Sequence, residues 1–247
     1  MLSKEIIGSV CVLRIDREAK RNALTPAILA SIRQTLDNAM SARAIVLSGV
    51  GDTFCSGFDL SACRDDERVL PELLLALQAA CQAMRQHPAP LVVSAHGAAI
   101  AGGCALVAAA DFAYTTHDAR IGYPAVRLGI SPAVSAPLLR LAVGDGHARE
   151  RLIDPGVIDG REALRLGLVA ESLPSTSRCE ARAIETARAL AEYPPHAIAY
   201  TKRWLNRIDG SDNHDTASAA VEASLSVAGS DEQRAMLALA LSPRTQP

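Results

Sequence analysis

Aromatic side chains are scarce in this 247-residue sequence, which holds one Trp, four Tyr and three Phe. A core without them must be built from Ala, Leu, Val and Ile, and an apolar content of 49% with 21% charge is enough for a well-buried globular fold. A basic stripe is also missing. The 25 Lys and Arg are scattered among 27 Asp and Glu, for a net charge of −2. That argues against a nucleic-acid groove but leaves room for a small phosphate site. No stretch is long and apolar enough to span a bilayer, so no membrane association is expected. Met1 to Glu5 shows no basic region leading into an apolar run, so no signal peptide is expected. The six cysteines (11, 55, 63, 81, 104, 179) form no C-x-x-C pair and no zinc spacing. Reduced thiols in a cytoplasmic protein without a metal site are the economical reading. Gly-x-Gly-x-x-Gly is absent, and no Lys-Ser/Thr follows the glycines, so neither a dinucleotide fingerprint nor a P-loop is present.

What is present reads as α/β, with strand–helix units first and helices last. Residues 6–16 alternate around Gly8 as a strand or hairpin. Thr25-Pro26 opens a helix with Ile28, Leu29, Ile32 and Leu36 on one face. Residues 43–48 and 91–94 are short apolar strands suited to a sheet covered on both sides. Helices are expected over 70–84 and 102–110, strands over 112–116, 119–122 and 168–171, and helices over 133–143, 161–166, 175–191, 196–208 and 215–228. No internal sequence repeat is visible.

Two segments share a design in which a buried strand delivers the chain into a glycine-bearing turn that opens toward a helix. One runs from Ala44 through Phe54-Cys55-Ser56-Gly57-Phe58-Asp59-Leu60. The other runs from Leu91 through Gly97 to Ala101-Gly102-Gly103-Cys104. Glycine lets backbone approach a ligand, and a helix start supplies unpaired N–H groups. Two such donors converging on one oxygen make an oxyanion hole, although glycine turns of this kind more often serve packing.

Several motifs fall in a familiar order. They are Arg17-Glu18-Ala19-Lys20-Arg21-Asn22-Ala23-Leu24, Phe54 to Leu60, Gly97 to Cys104 ending in Asp111, Gly129-Ile130 and Gly167-Leu168-Val169. Over roughly residues 5 to 205 the chain resembles the enoyl-CoA hydratase/isomerase (crotonase) family. The resemblance implies a spiral of ββα units over 1–190 and a C-terminal helical trimerisation region over 191–247, assembled as a homotrimer or homohexamer. It implies an acyl-coenzyme A ligand, with coenzyme A as part of the substrate and no separate cofactor. By position, the N–H groups of Phe58 and Gly102 match the family's oxyanion donors. Lys20 and Arg21 fall near the coenzyme A nucleotide, and Lys202 resembles a lysine that contacts its phosphates. Ala23, Ser56, Gly57, Leu60 and Gly103 adjoin the donors and count with the ligand contacts. Asp59 and Ser131 are possible polar groups on the pocket rim.

The pattern breaks where a hydratase of this family carries its two glutamates, because the matching positions are Ala105 and Ala125. Between Gly97 and Val143 the acidic residues are Asp111 and Asp118 alone, so shifting the alignment restores neither carboxylate. A positioned general acid or base contributes about 10²–10⁴ in rate. Tyr123, His96 and Cys104 are conceivable substitutes, each more ordinarily a packing residue. The readings left open are an enzyme using a non-glutamate route (slow hydration or isomerisation, or decarboxylation), a catalytically silent acyl-CoA binder, and a scaffold that has lost the ligand. The two alanines favour an apolar acyl group.

Overall fold

The computed structural model describes residues 1–64 and 66–242. Strands β1 (Leu2–Ile7) and β2 (Val10–Ile15) form an antiparallel hairpin about Gly8. Helix α1 (Pro26–Asp37) follows, with Thr25 accepting a hydrogen bond from the Ile28 N–H as its N-cap. Then come β3 (Ala44–Gly49), α2 (Val69–Gln86), β4 (Leu91–Ala95), β5 (Ala98–Ile100), α3 (Gly102–Ala109), β6 (Phe112–Thr116) and β7 (Arg120–Gly122). The remainder is α4 (Ala136–Ile153), β8 (Val157–Ile158), α5 (Gly160–Arg165), β9 (Glu171–Leu173), α6 (Thr176–Ala191), α7 (Pro195–Ile208), α8 (His214–Leu225) and α9 (Asp231–Leu241).

The main sheet has the order β1-β2-β3-β4-β6-β9, and every pairing after the first is parallel. Alternation along its strands explains the two cores. Cys11, Leu13, Ile45, Leu47, Leu91 and Val93 face one way, toward α1, α2 and α3. Val10, Val12, Ala44, Val46 and Val92 face the other way, toward α6. Helix α6 meets the sheet through Cys179, Ala183, Ala187 and Ala191, one residue per turn and each small, so it lies close against it.

Successive units share one plan without a shared sequence. A long strand of the main sheet is followed by a short extended piece that pairs with its counterpart in the next unit, and then by a helix. The short pieces meet at Leu24 with Phe58, at Cys55 with Ala99, and along β5 with β7, all in parallel. This is the spiral ββα architecture, and its repeated short pairings position the site.

Some boundaries differ from those read in the sequence. Residues 98–100, expected as part of a small-residue turn, form β5. The strand expected over 168–171 begins at Glu171, because Leu168 and Val169 are consumed as core plugs before the chain enters the sheet. The helix expected over 133–143 starts with a 3-10 turn (Pro132–Ser135) and continues past Gly144 to Ile153. Gly144 breaks its dihedral run at φ 76°, ψ 165°. Helix α9 had no counterpart in the reading. It packs on the 3-10 turns Leu60–Arg64 and Pro124–Leu128, while α8 packs on α2 and on Pro132–Ser135.

Candidate active site

The two glycine-bearing segments lie side by side. Phe54 and Cys55 donate their N–H groups to His96 O and Ala98 O, and Ile100 N–H returns to Cys55 O, all at 2.9–3.0 Å. This pairing sets Cys55 beside Ala99, and three residues further along each segment stand Phe58 and Gly102. The contact is close. A methyl group on Gly102 would lie 2.8 Å from Phe58 Cε1, and one on Gly103 would lie 2.8 Å from Cys55 Cβ.

Why these two N–H groups are unpaired follows from local geometry. Leu24 N–H donates to Gly57 O at 2.7 Å, and Asp59 N–H donates to Leu24 O at 2.8 Å. In an extended chain neighbouring residues point opposite ways, so the residue between them, Phe58, turns its own N–H away from Leu24. Gly102 opens α3, where the first N–H groups have no intrahelical acceptor. Neither donates a hydrogen bond among the described residues. The residue before Gly102 is strained, since Ala101 sits at φ 47°, ψ −106°, a region that favours glycine. Its N–H is anchored to Gly122 O at 2.8 Å. Such strain persists only where the surroundings impose it.

Phe58 and Gly102 border a cavity of about 190 Å³. The sequence-derived residues Ser56, Gly57, Leu60, Tyr123, Ala125 and Ser131 also line it. Leu74, Leu77, Ile100, Leu128, Ile130 and Val134 complete its apolar walls, and Ser135 adds a hydroxyl. These wall residues come from α2, β5 and the turns before α4. No signal marked them, because an apolar residue facing a cavity reads in sequence like any core residue.

Other expected residues lie elsewhere. Lys20 and Arg21 are exposed on the loop preceding Leu24, which Ser56 N–H joins through Arg21 O at 3.0 Å. Neither enters an ion pair among the described residues. Ala23 is buried, and its carbonyl accepts from Arg17 Nη1. Gly103 packs on Cys55 and Ala105 is buried within α3, and neither lines the cavity. Ser131 accepts from the Ala133 N–H as a cap. The Asp59 carboxylate is taken up by Arg17 Nη2 and Ser61 Oγ, both at 2.6 Å. The Ser61 hydroxyl first, and then Arg17, hold its pKa below the usual carboxylate value. Asp59 is therefore an anchor rather than a rim group.

Lys202 requires a correction. Its Nζ donates to Met84 O at 3.1 Å, to Ala89 O at 3.2 Å and to Asp111 Oδ2 at 2.6 Å, and the residue is 7% exposed. All three ammonium protons are used inside the fold, so none is left for a phosphate. Lys202 pins α7 to the end of α2 and to the turn before β4.

The proposed proton carriers are also turned away. Tyr123 borders the cavity, but its hydroxyl oxygen is buried and has no hydrogen-bond partner among the described residues, with Cys104 and Ser135 nearby. Burial raises its pKa well above that of an ordinary phenol. Burial likewise pushes the Cys104 thiol up to about 12, so it stays protonated and unreactive. His96 is buried, and its Nε2–H donates to Gly51 O at 3.0 Å, the carbonyl fixing the tautomer. Burial lowers its pKa, and the imidazole is neutral and outside the cavity. Asn22, which nothing in the sequence marks for this role, is fully buried and ties the loop together. Its Nδ2 donates to Val50 O and Thr53 O, and its Oδ1 accepts from the Arg17 N–H.

Among the described residues no cluster of three or more His, Cys, Asp or Glu is placed to hold a metal ion, and no helix is long and apolar enough to cross a membrane. Known proteins resemble this chain in sequence and in fold. The chain is 32% identical over 229 residues to a peroxisomal delta(3,5)-delta(2,4)-dienoyl-CoA isomerase of Arabidopsis thaliana, covering 84% of this chain and 81% of that protein. It is 30% identical over 205 residues to a 2,3-dehydroadipyl-CoA hydratase of Escherichia coli K12, covering 80% and 78%. The crystal structure of an enoyl-CoA hydratase/isomerase from Xanthobacter autotrophicus Py2 superposes with a TM-score of 0.87 at 26% identity, over 97% of this chain and 92% of that one. The enoyl-CoA hydratase/isomerase family profile matches residues 5–237, and the chain belongs to that family.

Proposed function

We propose that this chain holds the thioester carbonyl of an acyl-CoA against the N–H groups of Phe58 and Gly102, and acts on it by a route that uses no pair of carboxylates. One observation carries the reading: two unpaired backbone donors border an apolar cavity in which, among the described residues, the one ionisable lining residue is Tyr123, with its hydroxyl buried. An enolate concentrates charge on the carbonyl oxygen, and each preorganised donor stabilises that charge by about 3 kcal/mol. Decarboxylation needs no base, since loss of carbon dioxide leaves its bonding electron pair as the stabilised enolate, which then takes a proton from water at carbon two. Hydration and isomerisation also need proton transfer, and without a positioned acid or base those steps forfeit about 10²–10⁴ in rate.

A second reading, an acyl-CoA binder without turnover, is favoured by the same buried hydroxyl. On either reading Lys20 and Arg21, exposed on the loop that Ser56 N–H joins, are the cations proposed to meet coenzyme A phosphates. The apolar walls fit an apolar acyl chain. Tyr193, Tyr200, Trp204 and Ile208 are exposed at and along α7 in a chain poor in aromatics, which supports a trimer or a pair of trimers. Six unpaired thiols fit the reducing cytoplasm.

The test is mass spectrometry of saturated, 2-enoyl, 3-enoyl and malonyl-type CoA thioesters incubated with the protein in heavy water. Decarboxylated products, or slow deuteration at carbon two, support the non-glutamate enzyme. Unchanged thioesters that still bind support the binder. Thioesters that neither bind nor change overturn both readings.

A further inference from the structure

Arg17 lies outside the cavity, yet its contacts converge on the peptide that carries one donor. Nη2 meets Asp59 Oδ2 at 2.6 Å, and Nη1 donates to Ala23 O at 3.2 Å. Asp59 immediately follows Phe58, and Ala23 immediately precedes Leu24, the residue that pairs with Phe58. The guanidinium therefore spans the two strands at their single bridge. Its own backbone is fixed in turn: the Arg17 N–H donates to Asn22 Oδ1, and its carbonyl accepts the N–H groups of Lys20 and Asn22. Ser61 holds the second Asp59 oxygen through Oγ and N–H, at 2.6 and 3.2 Å. The ion pair is half-shielded, with side chains 27% and 14% exposed.

We propose that Arg17 is a positioning residue for the oxyanion hole, acting through Asp59 and Leu24 to fix the direction of the Phe58 N–H. The bridge between Leu24 and Phe58 consists of only two backbone hydrogen bonds and lies outside the named strands. A pairing that short does not define a peptide plane by itself, and an oxyanion donor works only when its direction is set before charge develops. A planar, always-charged guanidinium that reaches a carboxylate on one strand and a carbonyl on the other supplies the missing constraint. A lysine presents a point charge and cannot hold both contacts in one plane. The pair also neutralises a carboxylate that would otherwise lie one residue from the developing negative charge.

This inference rests on the thioester reading, so its test separates the two. Difference infrared spectroscopy of hexanoyl-CoA labelled with ¹³C at the carbonyl reads how strongly the bound C=O is polarised. Wild-type protein is expected to move the carbonyl stretch to lower frequency than in water. Arg17→Gln is expected to lose more than half of that shift, Arg17→Lys to recover only part of it, and Asp59→Asn to fall between wild type and Arg17→Gln. The double variant should lose no more than Arg17→Gln alone, because both changes break one contact. A merely structural ion pair would lower the thermal midpoint and leave the stretch of the bound thioester where wild type puts it. If Arg17→Gln does not fold, Asp59→Asn and Arg17→Lys carry the same comparison. No shift in wild type sinks the thioester reading itself. A wild-type shift retained in every variant sinks only the role of Arg17.

Discussion

The two sides of the cavity differ in kind. One side, formed by Gly57-Phe58 and Ala101-Gly102, is polar where it matters: two backbone donors are left unpaired by strand geometry and a helix start, and they are braced by Asn22, Arg17 and the strained Ala101. The other, formed by Tyr123, Ala125, Leu128 and Ile130, is apolar, and its single hydroxyl-bearing ring turns the hydroxyl inward. On the proposed reading the backbone donors that stabilise charge are present, while the described residues that line the cavity include no carboxylate to move protons. Within this fold the two are built independently. Backbone provides the first and needs glycines and pairings, whereas side chains provide the second.

The largest expected effect comes from giving the apolar side a proton carrier. Ala125→Glu places a carboxyl group at a position now 8% exposed in an apolar wall, where burial raises its pKa toward neutrality. Exchange of the carbon-two protons of a bound saturated thioester should accelerate by about 10²-fold, read by mass spectrometry in heavy water. No acceleration in a folded variant that still binds would mean that the wall is not opposite the carbonyl.

A smaller effect is expected from the polar side. In Gly102→Ala the new methyl would sit 2.8 Å from Phe58 Cε1 and 3.0 Å from Leu24 Cδ1, so the Phe58 ring must shift. Stability should fall by about 1–3 kcal/mol in urea unfolding. Hexanoyl-CoA should bind about tenfold more weakly by calorimetric titration, since one donor is worth about 3 kcal/mol only when aimed. Unchanged affinity would separate Gly102 from the carbonyl.

Ala101→Gly should do least. It releases strain of about 1–3 kcal/mol and adds unfolded-chain freedom worth about 0.4–1 kcal/mol. The net expectation is a gain of about 1 kcal/mol with thioester affinity unchanged. A loss of affinity would show that the strain itself aims the Gly102 N–H.

The sequence displayed the charge-stabilising side more clearly than anything else, because its requirements are local. The glycine-bearing turns mark the two segments, the family resemblance points to Phe58 and Gly102 within them, and Ala105 and Ala125 stand where that resemblance implies carboxylates. Long-range partners were not legible. Lys202 reads as a free cation until Asp111, 91 residues away, is found 2.6 Å from it. The hydroxyl of Tyr123 is surrounded by Cys81 of α2, Cys104 of α3 and Ser135 of the turn before α4, and the Asp59 carboxylate is held by Arg17, 42 residues earlier. In the fold, the hairpin, the alternating strands and most helices were read from periodicity. Strand β9 was displaced because Leu168 and Val169 carry strand-like composition into the core. Helix α9 carries a signal of its own, Ser230 capping the Gln233 N–H in a Ser-x-x-Gln start.

The most direct measurement of the central claim is the turnover number for hydration of a 2-enoyl-CoA at saturating concentration, with binding established on the same sample. The account predicts a bound thioester hydrated at least about 10²-fold more slowly than the lower end of ordinary enzyme turnover, about 1 s⁻¹. Turnover at about 10 s⁻¹ or above would contradict it, because a proton carrier would then be working that the described cavity-lining residues do not display.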